Sequence, residues 1–244
     1  MQAMRLDIYL FEHRLVSSRT EAKGLILDGK VSVCDKVINK PSFEVVGDEK
    51  ITVDRSDKRY VSRGGLKLEG ALESFDINVG GRIAIDVGAS SGGFTDCLLQ
   101  HGAARVIAVD SGYGQLAHSL RDDERVTVIE NYNARYMKPQ DFDIVPNLAV
   151  MDVSFISVKL IMPSLIACLA EKSDFVCLIK PQFEVGKGGL GKGGIVKDDK
   201  LRRRAVEDVI SFAGSVGFKH IGLIESPIKG GDGNIEYLAH FRKG

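Results

Sequence analysis

An acid and a lysine follow two consecutive strand-like runs of the sequence, and both are residue types that can take part in acid–base chemistry. Asp152 follows the apolar run 148–151, and Lys180 follows the run 175–179. Ligands bind at the carboxyl ends of the strands in open α/β sheets, so we expect these two side chains to be neighbours at a binding edge. Taken one at a time, Asp152 could instead cap the next helix, and Lys180 could simply begin a loop before Pro181.

A glycine-rich turn upstream has the pattern of a strand, a ligand-binding loop and a helix. The apolar run 83–87 contains Asp86, and a helix is predicted at 94–101. Glycines between them let the backbone approach a ligand that a Cβ would block, namely Gly88, Gly92 and Gly93. Asp110 ends the next run, where this architecture places an acid on ribose hydroxyls, so the two acids predict a nucleoside site.

The spacing of the glycines helps to distinguish a dinucleotide cofactor from a nucleoside cofactor without phosphates. Ser90 occupies the middle glycine position of the dinucleotide fingerprint, which disfavours a pyrophosphate at this turn. A glycine-rich turn of some unrelated α/β enzyme remains the alternative.

The elements that must position these residues alternate between strand and helix patterns from residue 82 onwards. This alternation predicts a mostly parallel, doubly wound α/β sheet that is covered on both faces. A further strand is expected at 126–129, and the last two runs, 219–224 and 235–241, predict an antiparallel pair at one edge. The expected helices are those at 66–75, 115–120, 158–169 and 200–216.

Residues 1–58 are interpreted as a separate α+β unit, because two helical patterns and several strand fragments fit into a span too short for a βαβ repeat. The capping-box pattern from Ser18 to Glu21 opens the second helix, which is expected to close at Asp28 and Gly29. A basic linker is expected at 59–65 and the second domain at 66–244.

The segments 5–7, 16–22 and 26–33 together resemble the S4 domain, a small RNA-binding module. The resemblance implies salt-sensitive phosphate contacts from basic residues on or beside the two helices. These residues are Arg5, Arg14, Arg19, Lys23 and Lys30. Charged residues at exposed helical positions are also ordinary, so solvated helix faces are an equal alternative.

The Asp-x-Gly-x-x-x-Gly-Gly loop at 86–93 resembles the first motif of S-adenosylmethionine-dependent methyltransferases. Adding Lys67 and Glu236 to Asp152 and Lys180 reproduces the Lys-Asp-Lys-Glu order of FtsJ-like RNA ribose 2′-O-methyltransferases. With the S4-like unit, the whole chain resembles the TlyA family of rRNA cytidine 2′-O-methyltransferases, which are also labelled haemolysins. The resemblance implies a class I methyltransferase domain, S-adenosylmethionine as cofactor, and rRNA or ribosomal subunits as partner.

The same resemblance implies a role for each candidate residue. Catalysis is expected from Lys67, Asp152, Lys180 and Glu236. Cofactor binding is expected from Asp86, Gly88, Ser90, Gly92, Gly93, Phe94, Asp110 and Asp152. RNA contacts outside the S4-like unit are expected from Arg59, Arg63, Lys187 and Lys192. By its pattern alone, Lys67 is an ordinary surface lysine at the edge of an apolar stripe.

Lys180 could serve a methyl transfer in either of two ways. It accepts a proton only in its neutral form, which burial and the ammonium of Lys67 favour and which Asp152 and Glu236 disfavour. It is therefore either a base or a hydrogen-bond donor that orients the 2′-hydroxyl.

Composition excludes several other classes of protein. The 244 residues are 44% apolar, and 33 basic and 33 acidic side chains balance, so any attraction to nucleic acid must come from local clusters of charge. The run 160–170 is too short to span a bilayer, no secretory signal is visible, and the cysteines have no paired spacing, which predicts a cytoplasmic protein with reduced thiols. No metal-ligand pattern is present, so no metal is expected.

Three further alternatives are weighed from the sequence. The segment 186–193 imitates a P-loop, but Gly193 offers no hydroxyl for magnesium, so we interpret it as a flexible basic loop. A non-catalytic RNA-binding assembly factor would retain the fold without turnover. A pore-forming haemolysin would need a membrane-spanning pattern, and the sequence shows none.

The protein is expected to be a monomer or a weak homo-oligomer.

Overall fold

The computed structural model describes residues 3–16, 18–27, 29–47, 49–54, 59–230 and 233–244, without the side chains of Lys187 and Lys192. The chain forms two compact units, residues 1–58 and 59–244. The expected helix end at Asp28 and the last residue of the first unit, Lys58, lie outside the described residues.

The first unit combines two short helices with small antiparallel sheets. Its elements are β1 (Met4–Arg5), α1 (Leu6–Glu12), α2 (Arg19–Leu27), β2 (Val31–Val33), β3 (Lys36–Val37), β4 (Glu44–Val45) and β5 (Ile51–Val53). β1 pairs with β4, and β2 lies between β3 and β5. Leu6 and Leu10, one helical turn apart, are completely buried with Ile26 of α2. Ser18 Oγ accepts a hydrogen bond from the Glu21 amide at 3.1 Å, which confirms the predicted cap of α2.

The second unit is built on one seven-stranded sheet. Its strands are β6 (Ile83–Val87), β7 (Arg105–Val109), β8 (Val126–Ile129), β9 (Leu148–Met151), β10 (Asp174–Ile179), β11 (Phe218–Glu225) and β12 (Tyr237–Lys243). The order across the sheet is β11-β12-β10-β9-β6-β7-β8. The five strands from β10 to β8 are parallel, while β12 is antiparallel to both of its neighbours. The predicted doubly wound sheet with an antiparallel pair at one edge is confirmed.

Helices cover both faces of this sheet. They are α3 (Gly64–Ser74), α4 (Gly93–Gln100), α5 (His118–Arg121), α6 (Met162–Cys168), α7 (Pro181–Glu184) and α8 (Asp199–Ser215). Leu68 of α3 and Leu98 of α4 belong to the apolar cluster on one face, and Leu165 of α6 and Val209 of α8 belong to the cluster on the other. All four side chains are fully buried, which is the reason these helices hold the sheet in place.

Two helices differ from the sequence prediction for local reasons. The span predicted at 158–169 divides into a 3₁₀ turn at Val158–Leu160 and α6, because Pro163 belongs to the first turn of α6, where its missing amide hydrogen is tolerated. The helix predicted from 115 begins only at His118, because Asp110 and Glu130 hold the preceding residues in a loop through the amides of Gly112 and Gly114.

An ionic cluster around the largely buried Asp174 connects the strands at the end opposite the candidate site. Asp174 at the start of β10 accepts hydrogen bonds from Arg82 at 2.7 Å, from His240 at 2.8 Å and from Arg242 at 3.1 Å. Burial disfavours the charge of Asp174, but these hydrogen bonds and the charge of Arg82 hold its pKa well below the usual range. The cluster fixes the relative positions of the strands that carry the site residues.

Candidate functional site

Neighbouring strands bring the predicted catalytic residues to one end of the sheet. Because β6, β9 and β10 run parallel, Asp86, Asp152 and Lys180 all lie at their carboxyl ends. β12 begins beside the last residue of β10, so Glu236 lies at the same end. Lys67 reaches this end from α3, where it contacts Glu236.

The four side chains form two ion pairs. Lys67 Nζ donates to Glu236 Oε2 at 2.6 Å, and these side chains are 11% and 3% exposed. Lys180 Nζ lies 2.6 Å from Asp152 Oδ1 and donates to Ser154 Oγ at 2.8 Å. Opposite charges attract more strongly away from water than at the surface, so each lysine is held firmly by its acid. The structure thus brings the four residues together, while their catalytic roles remain predictions.

Three residues that the sequence analysis missed support these pairs. Gln182 Nε2 donates to Glu236 Oε1 at 3.2 Å. Glu184 accepts hydrogen bonds from Ser157 Oγ at 2.6 Å and from the Val158 amide at 2.9 Å. The third residue is Ser154, which accepts the hydrogen bond from Lys180. For Gln182 and Glu184, the sequence signal was their spacing, because they follow the strand-end lysine by two and four residues.

The predicted glycine turn is present, and packing supplies a further reason for its glycines. Gly88 has φ +86°, and a Cβ there would lie 2.5 Å from the carbonyl oxygen of Asp152. A Cβ on Gly92, at φ +96°, would overlap Leu120, and one on Gly93 would overlap Ser62. The glycines therefore let the turn approach other parts of the protein, the acid-bearing segment after β9 among them.

Asp86 is a buried carboxyl beside this turn. Its Oδ2 accepts a hydrogen bond from Thr95 Oγ1 at 2.7 Å, and its Oδ1 has no hydrogen-bond partner among the described residues. Burial raises the pKa of Asp86 to about 7, against the effect of the Thr95 hydrogen bond, and the charges of Asp152 and Asp110 add to the rise. An unpaired buried polar atom of this kind fits a site that receives a polar ligand group.

Asp110 connects the loops after β6 and β7. Its Oδ2 accepts from the Ser90 amide at 2.8 Å, and its Oδ1 accepts from the Gly112 amide at 2.7 Å. Each carboxylate oxygen has two lone pairs, so Asp110 retains capacity to accept hydrogen bonds from a ligand. Glu130, also missed by the sequence analysis, accepts from the Gly114 amide at 3.0 Å and pairs with Arg121.

Two predicted cofactor residues differ in exposure. Ser90 is exposed at φ +48°, and its hydroxyl donates to Gln115 Oε1 at 3.3 Å. Phe94 is 3% exposed and packs in the apolar core beneath the turn. The side chain of Phe94 therefore supports the turn. If Phe94 contacts the cofactor directly, its main-chain atoms must make the contact.

In the first unit, a buried acid organises two of the predicted RNA-binding arginines. Arg5 Nε and one terminal nitrogen donate to the two oxygens of Asp7 at 2.9 and 3.0 Å, and Arg19 lies 3.5 Å from the same carboxylate. Burial disfavours the charge of Asp7, but the hydrogen bonds and charge of Arg5, with the charge of Arg19, hold its pKa below the usual value. The arginine side chains remain 47% and 53% exposed, so both can still meet an anion.

The other predicted RNA-binding residues have varied surroundings. Arg14 and Lys23 are exposed, and Lys30 lies 3.2 Å from Asp54. Arg59 pairs with Glu69 at 3.0 Å, and Arg63 immediately precedes α3. The side chains of Lys187 and Lys192 lie outside the described residues.

In the part of the chain that the structure describes, no group of three or more histidine, cysteine, aspartate or glutamate side chains could hold a metal ion. Within the same residues, no helix combines the length and the apolar character needed to cross a bilayer.

Two protein-family models match this chain, one for each unit. Residues 60–243 match the family model of the FtsJ-like methyltransferase, and residues 4–51 match that of the S4 domain. The 16S/23S rRNA (cytidine-2'-O)-methyltransferase TlyA of Mycobacterium tuberculosis is 46% identical over 239 residues, which are 98% of this chain and 89% of that protein. The chain belongs to the TlyA family of FtsJ-like methyltransferases.

Other TlyA-family similarities extend over nearly the whole chain. Hemolysin A of Brachyspira hyodysenteriae is 45% identical over 98% of this chain and 99% of its own length. The solved structure of a hemolysin from Streptococcus thermophilus is 43% identical, with a TM-score of 0.80, and covers 100% of this chain and 89% of that one. The predicted fold class, an S4 domain followed by a methyltransferase domain, is confirmed.

Proposed function

We propose that this protein transfers a methyl group from S-adenosylmethionine to the ribose 2′-hydroxyl of a cytidine in rRNA. The convergence of the pairs Lys67–Glu236 and Lys180–Asp152 beside the glycine turn carries this proposal. The name of the mycobacterial relative, an rRNA cytidine 2′-O-methyltransferase, supports the same substrate. We propose residues 1–58 as the RNA-binding domain and residues 59–244 as the catalytic domain, working on rRNA or ribosomal subunits in the cytoplasm. Of the expected linker 59–65, Gly64 and Gly65 belong to the first turn of α3.

The turn after β6 fits S-adenosylmethionine as cofactor. The unpaired Oδ1 of Asp86 and the remaining lone pairs of Asp110 are the polar groups available to a nucleoside with an amino-acid tail. The residues proposed to surround it are Asp86, Gly88, Ser90, Gly92, Gly93, Phe94, Asp110 and Asp152. When bound, the cofactor supplies an electrophilic methyl group on a sulfonium.

The surroundings of Lys180 favour its role as a hydrogen-bond donor. Its ammonium has three N–H groups, donates one to Ser154 Oγ and lies 2.6 Å from Asp152 Oδ1, so it retains capacity to donate to a ribose oxygen. We therefore propose that Lys180 orients the 2′-hydroxyl and stabilises the negative charge that develops on its oxygen, while the proton leaves to solvent.

Transfer of labelled methyl groups to rRNA tests this function, and mass mapping of ribose methylation locates the nucleotide. Lys180→Ala is expected to abolish transfer while cofactor affinity stays within about twofold, because this lysine acts on the hydroxyl. Lys219→Ala, at an exposed position of β11, is the control and should transfer normally. Normal transfer by Lys180→Ala would remove this residue from the catalytic set.

Two other functions make different predictions. The name of the Brachyspira relative suggests a haemolysin, which would release dye from liposomes. A non-catalytic assembly factor would bind rRNA without transferring label. The complete set of four paired side chains favours the enzyme over both.

A further inference from the structure

The short helix α7 contacts two different parts of the candidate site. It begins directly after Lys180, so its position and that of the lysine are set together. Gln182 reaches Glu236 before β12, and Glu184 reaches the segment after Asp152. One turn of helix therefore lies between the two ion pairs.

Both oxygens of Glu236 are held, and each by a different helix. Lys67 of α3 donates to Oε2 at 2.6 Å, and Gln182 of α7 donates to Oε1 at 3.2 Å. An ionised carboxylate has no proton to donate, so the amide of Gln182 must present its NH₂ group to Glu236. Gly230 leaves the space for this arrangement, because a Cβ there would overlap Oε1.

The other end of α7 is anchored independently. The side chain of Glu184 is 1% exposed and accepts hydrogen bonds from Ser157 Oγ at 2.6 Å and from the Val158 amide at 2.9 Å. Phe183 adds a ring contact with Phe155, at 5.2 Å between centroids. Because these contacts tie α7 to the segment that follows Asp152, losing the Gln182 hydrogen bond would leave the Glu236 carboxylate held by Lys67 alone among the described residues, free to shift with it, and would leave Lys180 in place.

We propose that Gln182 is a positioning residue, which sets the location of the Lys67–Glu236 pair relative to Lys180 and Asp152. This inference rests on the proposed methyl transfer. Displacements of about 1 Å in a reacting geometry can cost about 100-fold in rate, so a residue that touches neither substrate nor cofactor can still control turnover. Gln182 contributes to catalysis through Glu236 alone.

The substitution Gln182→Met tests the proposal, because it retains the length of the side chain and removes its donor. Loss of a hydrogen bond to a charged group corresponds to about 10- to 100-fold, and we expect this loss in kcat. The KM for rRNA and the affinity for S-adenosylmethionine should stay within about twofold of the wild-type values. Gln100→Met is the matched control, because Gln100 also donates to a carboxylate, that of Asp96 at 2.9 Å, at the far end of α4.

A double-mutant cycle with Glu236→Met, which offers Gln182 no oxygen acceptor, separates positioning from general stability. If Gln182 acts through Glu236, Gln182→Met should lower single-turnover transfer strongly in the wild-type background and should change the residual transfer of the Glu236→Met background by less than about twofold. Equal losses in both backgrounds, unchanged kcat in Gln182→Met, or a loss confined to cofactor affinity would each overturn the proposal. Absence of transfer by the wild-type protein would instead refute the proposed function, so the two failures are distinguishable.

Discussion

Replacing Lys67 by methionine would leave Glu236 as a buried carboxylate with Gln182 as its remaining hydrogen-bond donor among those described. The Glu236 side chain is 3% exposed, so water cannot take the place of the lost ammonium. Removing one partner of a buried ion pair costs about 3–5 kcal/mol in the free energy of unfolding. At about 2–4 °C per kcal/mol for domains of this size, a loss of about 3 kcal/mol lowers the unfolding midpoint by about 6–12 °C.

The double variant Lys67→Met/Glu236→Gln separates stability from catalysis. It removes both charges, so we expect its unfolding free energy to return to within about 1 kcal/mol of the wild-type value. Methyl transfer should be lost in the single and the double variant alike, because both lack the Lys67 ammonium that the reaction is proposed to need. Restoring stability should therefore not restore transfer. The chain has no tryptophan, so far-UV circular dichroism is the suitable probe of unfolding.

The control is Lys219→Met, an exposed lysine whose replacement should change stability by less than about 0.5 kcal/mol. Two results would refute the reasoning. One is a Lys67→Met variant as stable as the control, and the other is a double variant less stable than the single one. Either would mean that Lys67 does not neutralise a buried Glu236.

Three further predictions follow from the cofactor turn and the first unit. Gly88→Ala should lower transfer about tenfold or more, because its Cβ would press on the carbonyl of Asp152, whereas Gly81→Ala, at φ +73° with nothing within 4 Å, should change only stability. Asp86→Asn should be more stable than wild type at about pH 8 and should lose this advantage progressively as the pH falls from about 7 to about 4 in thermal denaturation. The reason is that burial raises the pKa of Asp86 to about 7, so its ionisation destabilises the fold as pH rises. Arg19→Glu/Lys23→Glu should weaken RNA binding about tenfold at low salt in filter binding, and unchanged affinity would contradict a phosphate contact.

Much of the fold was predictable because its signals are local. The strands at 126–129 and 148–151 have the predicted bounds. The run 148–151 is continuously apolar because it is buried on both faces of the parallel sheet, whereas the half-buried edge strand at 126–129 includes Thr127. The cap of α2 at Ser18 and the end of α8 before Gly217, which has φ +106°, were likewise predictable from single residues. The division of 158–169 was missed because Pro163 can either break a helix or begin one, and only packing decides between them.

The supporting contacts of the site were not predictable from the sequence. Gln182 and Glu236 are separated by 54 positions, and Lys67 and Glu236 by 169. No local pattern relates such residues, because their contact depends on where β12 enters the sheet. The same holds for Asp7, which looks like an ordinary acid in the first turn of α1 and is in fact the buried anchor of two arginines.

The sequence by itself determined the alternation of elements, the acids and the lysine that follow particular strands, and the family resemblance, because each depends on residue types at short spacing. The tertiary structure decided which acid pairs with which lysine and which carboxyl is buried enough to hold its proton near neutral pH. It also decided that the glycines of the turn are required by protein packing. The physical reason is that ion pairs and burial depend on distances through space, and these exist only after the strands have assembled.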